Sequence, residues 1–184
     1  MKTLDLKSAF KYPFNRAKGM LNMFWILLPF VGWFALGGYG IRVIKEFSKG
    51  KFKKLPIFKF SSDLKLGFFM FLKSLPFIIA YTVILLVISL INPWVEGTIN
   101  LLLGLFVVPI LTINFFNKET VESFFEFKIL KHVFNNLGDY MTTILKSLLL
   151  GLIFLLMFIV LVGIPANAFT KNIFLADFYR RRVK

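Results

Sequence analysis

The basic residues of this chain occur in separate segments, with long apolar stretches between them. The basic segments are residues 2–18, 42–73, 118–146 and 171–184. The apolar stretches without Lys or Arg are residues 19–41, 74–117 and 147–170. Each stretch contains a turn signal: Pro29 with Gly32, Asn92-Pro93, and Gly163 with Pro165. Because Lys and Arg concentrate on the cytoplasmic side of membranes, we predict an all-α integral membrane bundle. It has about six helical segments arranged as three hairpins, with both termini in the cytoplasm.

The same pattern divides the single predicted membrane domain, residues 1–184, into consecutive parts. They are an interfacial lead-in (1–18), a short hairpin (19–47), a basic cytoplasmic loop with an interfacial helix (48–73), a hairpin (74–116), a cytoplasmic helix and turn (117–140), a hairpin (141–180) and a basic tail (181–184). The first apolar stretch is also long enough for one span. Its flanking bases and central Pro29 and Gly32 favour the hairpin, with arms at 19–30 and 33–47.

Capping and turn residues place the remaining helices. Ser61-Ser62-Asp63 is a candidate N-cap, which predicts an interfacial helix over residues 64–72 and a membrane segment over 74–91. We expect one helix over residues 118–134, with Glu119, Glu122 and Glu126 on one sector and Lys128, Lys131 and His132 opposite. A last segment from Pro165 to Tyr179 either crosses the membrane or enters it halfway.

Composition supports a membrane protein, since 58% of the residues are hydrophobic and 18% are aromatic. A net charge of +14 would suggest nucleic acid as the partner of a soluble protein. Here the bases are better explained by anionic lipid headgroups, so we expect no nucleic acid partner. The candidate lipid contacts are the basic residues of the loop and the tail: Lys49, Lys51, Lys53, Lys54, Arg180, Arg181 and Arg182.

Residues for catalysis are scarce. The chain has no cysteine and one histidine, His132, and it lacks a phosphate loop, a serine elbow and a paired-histidine metal motif. The Glu119, Glu122 and Glu126 spacing suits a solvated acidic helix face better than a cation site. We therefore predict no enzymatic activity, no cofactor and no metal.

Lys171 is the charge that most needs a partner inside the membrane. If the last segment inserts from Pro165, Lys171 lies about 9 Å below the outer turn at a rise of 1.5 Å per residue. Its candidate partners are Asn167 on the same segment and Glu96 in another outer turn. The interpretation that we favour is that the segment is only half inserted and Lys171 is solvated.

Several short motifs resemble a family of small prokaryotic membrane proteins, the domain of unknown function 4013. They are Phe10-Lys-Tyr-Pro-Phe14, Leu28-Pro29-Phe-Val-Gly32, Gly38-Tyr39, Arg42, Leu55-Pro56-Ile-Phe58 with Asp63, Asn136-Leu-Gly-Asp139-Tyr140 and Ala176-Asp177-Phe178-Tyr179. The resemblance implies a bundle of about six helices arranged as hairpins. It implies no activity, cofactor or catalytic residue.

Two functions fit these observations. The first is a multi-pass cell-membrane protein that serves as an accessory subunit or scaffold. It would have a protein partner or form a homo-oligomer, with residues 118–134 as a docking element. The alternative is a permease or lipid-handling protein with a polar path from Asn100, Thr112 and Asn114 to Lys171.

Overall fold

The computed structural model describes residues 3–183, apart from the side chain of Val160, and this part of the chain forms helices without strands. The α-helices are α1 (Leu6–Lys11), α2 (Val31–Phe47), α3 (Phe60–Ile91), α4 (Pro93–Leu102), α5 (Val108–Lys118), α6 (Leu130–Asn135), α7 (Leu137–Leu156), α8 (Gly163–Thr170) and α9 (Ile173–Arg182). Stretches of 3₁₀ helix occur at Phe14–Leu27, Val121–Phe125, Phe127–Ile129 and Met157–Val160, and a π-helical turn at Leu103–Val107. The prediction of an all-helical fold is confirmed.

The first apolar stretch is broken between the 3₁₀ segment and α2. Phe30 adopts a positive φ of 61° just before α2 begins. A Cβ added to Gly32 would lie 1.7 Å from the carbonyl oxygen of Trp25. The start of α2 therefore packs directly on the preceding segment, and only glycine fits at this contact.

Helices α2 and α3 cross at a pair of glycines. A Cβ on Gly38 would lie 1.9 Å from the Asp63 carbonyl oxygen, and one on Gly67 would lie 1.9 Å from the Phe34 carbonyl oxygen. The two backbones are thus in direct contact, as small residues allow between membrane helices.

Helix α3 is continuous for 32 residues, about 48 Å at 1.5 Å per residue. It joins the predicted interfacial helix to the predicted membrane segment. The predicted N-cap at residues 61–63 is wrong, because the helix begins at Phe60 after Lys59. Asp63 instead accepts the Lys59 backbone N–H at 2.7 Å from within the first turn. Its carboxylate satisfies an N–H that the helix itself leaves free.

The turn between α3 and α4 lies at Asn92-Pro93, as the sequence predicts. The Asn92 side chain accepts the backbone N–H groups of Trp94 and Val95 at 2.9 and 3.3 Å. Pro93 occupies the first helical position, where no N–H is needed. Beyond the turn, the hydroxyl of Tyr81 donates to Asn100 at 2.7 Å and links α3 to α4.

The π-helical turn ends at Val107, two residues before Pro109. Proline has no N–H to donate to the carbonyl four residues earlier, which here belongs to Leu105. The Tyr140 hydroxyl of α7 donates to that oxygen at 2.7 Å. A carbonyl freed by proline thus becomes a contact between α7 and the α4–α5 stretch.

The predicted single helix over residues 118–134 is wrong. Glu119 adopts a left-handed conformation that ends α5, and Glu126 separates two short 3₁₀ segments before α6. Both glutamates bind lysines, Glu119 binding Lys45 and Glu126 binding Lys118. Because the backbone leaves the helical conformation at Glu119 and at Glu126, the predicted acidic helix face does not form.

The predicted single segment from Pro165 to Tyr179 is also wrong, since the chain breaks between α8 and α9. Lys171 is exposed at this break, while every residue from Ile173 to Tyr179 is buried. Both short helices pack against α7. At the start of α8, a Cβ on Gly163 would lie 2.0 Å from the Phe154 carbonyl oxygen of α7. In α9, Phe178 packs edge-on against Tyr140 of α7 with ring centroids 5.2 Å apart.

Three helical stretches are long and apolar enough to cross a membrane: Phe60–Ile91, Pro93–Lys118 and Leu137–Ile159. The rest of the chain covers little of them. No residue is buried in the most apolar part of α3, where Leu90 is 80% exposed. The buried core lies where α2, α5, α7 and α9 meet around Phe47 and Phe178, so it includes only one side of the second and third stretches. Apolar surface of this extent is typical of helices that contact lipid or other membrane helices.

Candidate functional site

A dense group of charges joins α9 to the start of α7. Asp177, which is 2% exposed, accepts hydrogen bonds from Arg180 Nη2 at 2.7 Å and Arg181 Nε at 3.0 Å. Arg181 also donates to both oxygens of Asp139, at 2.6 and 3.2 Å. Arg182 Nε reaches the same carboxylate at 2.8 Å. We call these five residues the C-terminal charge network.

This network also holds the N-terminal segment and the basic loop. The Leu4 backbone N–H donates to Asp177 Oδ2 at 3.0 Å. The Arg180 guanidinium lies 5.1 Å from the ring centroid of Phe52, a distance typical of a cation–π contact. Residues from both ends of the described chain and from the loop after α2 therefore meet at one place.

Arg181 is charged in this setting. Burial alone would lower the pKa of its guanidinium, but the hydrogen bonds to Asp139 and Asp177 outweigh burial and raise that pKa above its ordinary value. Its side chain is only 7% exposed. Removing one partner from such a pair leaves a buried charge uncompensated, so the network holds these elements together.

A second ion pair fixes α2 against α3. Arg42 donates to both oxygens of Asp63, through Nε at 2.9 Å and Nη2 at 2.6 Å. Its Nη2 also donates to the Ile57 carbonyl oxygen at 2.8 Å. Two-point pairing of a guanidinium with a carboxylate sets orientation as well as distance. Arg42 thereby joins α2, the end of the basic loop and the first turn of α3.

A third polar group surrounds the end of α5. Buried Asn114 accepts the Tyr179 hydroxyl at 2.7 Å, and its amide donates to the Ser123 carbonyl at 2.8 Å and to Glu126 at 3.2 Å. Glu126 also binds the ammonium of Lys118, and this hydrogen bond holds the pKa of the carboxyl below its ordinary value. The Tyr179 hydroxyl thus connects α9 to α5, and the polar side-chain atoms of both Tyr179 and Asn114 have hydrogen-bond partners.

The three residues of the predicted intramembrane site lie on different parts of the chain. Within residues 3–183, no hydrogen bond or ion pair joins any two of Lys171, Asn167 and Glu96. Lys171 is exposed between α8 and α9, and Asn167 lies beside Gly151, its Oδ1 3.8 Å from where a Cβ would be. Glu96 lies in the first turn of α4.

The polar side chains of the predicted path make hydrogen bonds to nearby groups. Asn100 pairs with Tyr81, and the Thr112 hydroxyl donates to the Val108 carbonyl four residues earlier. Asn114 makes the contacts described above. A polar path to Lys171 stays a prediction.

The predicted lipid contacts divide into two groups. Lys49, Lys51, Lys53 and Lys54 are exposed in the loop after α2. Arg180 and Arg181 bind Asp177 inside the protein, and Arg182 binds Asp139 while remaining 41% exposed. The loop lysines are therefore accessible to headgroups, whereas Arg180 and Arg181 are committed to the fold.

Two cavities flank α5 on different faces. A pocket of about 340 Å³ is lined by polar residues that include Asn114, Lys118, Lys128, His132 and Tyr179. A larger groove of about 710 Å³ lies between α2, α3 and α5. Its lining is almost entirely apolar and aromatic, with Trp33, Phe71, Phe77, Thr112 and Phe116 among its residues. Within residues 3–183 there is no group of three or more acidic or histidine side chains that could hold a metal.

Part of the charge network could be found from sequence spacing. Asp177 lies three and four residues before Arg180 and Arg181, a spacing at which helical side chains meet. The partnership with Asp139 spans 42 residues, and no local pattern indicates it. The sequence indicates Asp139 and Asp177 only as parts of the family motifs and Asp63 also as part of a candidate N-cap, and it indicates no ion-pair partner for Asp63 or Asp139.

A family model described as "Protein of unknown function (DUF4013)" matches residues 21–163, which is more than half of the chain. This match confirms the resemblance drawn from the short motifs. No curated protein and no solved structure matches the chain.

Proposed function

We propose that this chain, which belongs to the DUF4013 family of proteins of unknown function, is a non-enzymatic accessory subunit or scaffold of the cell membrane. The observation that carries the proposal is the bare surface of the candidate spans. No residue in the most apolar part of α3 is buried, and few are in the other two stretches. The exposed sides of these helices are available to lipid or to the helices of a partner.

The arrangement of the charges supports a scaffold role. The Arg42–Asp63 pair ties α2 to α3, and the C-terminal charge network ties α7 to α9. The segment 121–135 lies beside α5 and carries exposed aromatic rings, including Phe127, which is 53% exposed. Exposed aromatic side chains are typical anchors of protein interfaces, so this segment is the proposed docking element.

We further propose three hairpins with both termini in the cytoplasm. The hydrogen bond from Leu4 to Asp177 supports this layout, because it keeps the two ends of the chain on one side. Since the chain lacks cysteine, single cysteines at Val95 and Val183 can be probed with an impermeant thiol reagent. The layout requires Val95 to be labelled in intact cells and Val183 to be protected. Labelling of Val183 would refute it.

The partner is tested by native mass spectrometry of the protein extracted with its surrounding membrane. A stoichiometric second polypeptide, or a second copy, supports the subunit proposal. A monomer that carries only lipid contradicts it. A photo-crosslinking residue at Phe127 should capture the same partner. The matched control is Phe24, an exposed phenylalanine outside the docking element, which should not capture it.

The apolar groove between α2, α3 and α5 favours a second candidate function, the handling of lipid. Gly37 lines this groove, and a Cβ added there would meet no atom within 4 Å. Gly37→Trp would therefore fill the groove without disturbing the helix contacts. If the protein handles lipid there, the variant should lose co-purified lipid. Gly138→Trp, at an equally open glycine outside the groove, should retain it.

A further inference from the structure

We propose that the 340 Å³ pocket beside the end of α5 binds the phosphate group of an anionic membrane lipid. This inference depends on the pocket and its position at the end of a candidate span, and it stands whether or not the chain is a scaffold. None of the lipid contacts predicted from the sequence lines this pocket.

The pocket has a cationic rim and a polar floor. Lys118, Lys128 and His132 line its exposed side, and buried Asn114 and Tyr179 line its base. Lys118 shares its charge with Glu126, whereas Lys128 makes no ion pair within residues 3–183. A phosphate oxygen can accept hydrogen bonds from both ammonium groups and from the imidazole, and such charge-assisted hydrogen bonds are the strong ones.

The end of a helix usually repels anions through its free carbonyl groups. At the end of α5 this repulsion is opposed by an ammonium group, because Lys73 Nζ donates to the carbonyl oxygen of the C-cap residue Glu119 at 2.8 Å. A cation at this end of a helix offsets the negative end of the helix dipole.

The position of the pocket favours a lipid over a soluble phosphate. Lys118 is the last residue of the second candidate span, Pro93–Lys118, and a lysine at the end of a span reaches the headgroup region. The neighbouring helix α6 stacks Phe134 on Phe106 of that span, with ring centroids 6.4 Å apart. Phe127 and Phe134 are exposed beside the pocket. A lipid with its phosphate in the pocket would find apolar surface for its acyl chains next to it.

The chain offers a direct reporter, because His132 is its single histidine. The imidazole NMR signal of the full chain in zwitterionic nanodiscs would be followed while phosphatidic acid is added, and separately while inorganic phosphate is added. We expect phosphatidic acid to shift the signal saturably. Lys128→Met should weaken this binding about tenfold or more, as loss of one hydrogen bond to a charged group implies. Lys131→Met removes the same charge from an exposed residue outside the pocket and should change the affinity less than about twofold.

A further variant tests the role of the competing carboxylate. Glu126→Gln frees the ammonium of Lys118 and should tighten the binding of phosphatidic acid. Equal losses in the Lys128 and Lys131 variants would refute the pocket, since they would indicate general surface charge. A response to inorganic phosphate without one to phosphatidic acid would overturn the lipid assignment, and no response to either probe would refute the site.

Discussion

Removal of the Asp177 carboxylate should be among the most destabilising single changes in this protein. The carboxylate accepts hydrogen bonds from Leu4, Arg180 and Arg181, and its side chain is 3% exposed. Breaking a buried ion pair by removal of one partner costs about 3–5 kcal/mol. Arg181 would keep its two hydrogen bonds to Asp139. We therefore expect Asp177→Ala to lower the free energy of unfolding by about 3 kcal/mol, the lower end of that range.

The measurement is reversible unfolding in mixed detergent micelles, followed by circular dichroism. The expected coupling is tested with Arg181→Met and the double variant. Because the two residues share one network, the double variant should lose less stability than the sum of the single losses, by about 1–3 kcal/mol. Lys49→Ala, at an exposed loop position, is the control and should change stability by less than about 0.5 kcal/mol. A loss below about 1 kcal/mol for Asp177→Ala, or strict additivity, would contradict the structural role of the network.

The other predictions concern single contacts, each measured by the same unfolding assay. Gly38→Ala should cost about 1–3 kcal/mol or more because its Cβ meets backbone, whereas Gly37→Ala has open space and should stabilise by about 0.5–1 kcal/mol. Tyr140→Phe should cost about 1–3 kcal/mol because a proline-freed carbonyl loses its donor; Tyr12→Phe should cost nothing, since that buried hydroxyl has no partner within the described chain. The hydrogen bond from a lysine ammonium lowers the pKa of Glu126 below its ordinary 4.5, so its stabilisation is present above pH 4.5 and disappears as the pH falls through the lowered pKa. Glu126→Gln should therefore be less stable than the unmodified chain at pH 7, and the difference should vanish in acid.

The long helices were predictable because their signals are local. An apolar stretch without charge specifies a helix by composition, and the side chain of Asn92 with Pro93 specifies where α4 starts. The break near Pro29 and Gly32 was also predictable, because both residues act on the backbone of their immediate neighbours. In each case the residues that determine the structure lie within a few positions of the feature itself.

The structure departs from the sequence prediction where the helix breaks without a local signal. Helical periodicity placed Glu119 and Glu126 on one helix face, but the backbone leaves the helical conformation at both residues. The break before α9 is a second case. Asp177 must face Arg181 and Leu4 inside the protein, and a straight segment that crosses the membrane could not bury it there. A contact between residues that lie 42 or 173 positions apart produces no periodic pattern in a single sequence, so the sequence cannot predict it.

These internal pairs change how the net charge of this protein should be understood. The positive-inside rule counts every Lys and Arg equally, but a guanidinium that binds a buried carboxylate contributes little to attraction toward headgroups. Arg181 is neutralised in this way by Asp139 and Asp177, while Lys51 and Lys54 remain exposed. Arg180 and Arg181 therefore act chiefly within the fold, and the exposed loop lysines are the residues available for the proposed attraction to an anionic surface. Exchange of the tail arginines for lysine would preserve the topology signal but remove the two-point pairing that only a guanidinium provides.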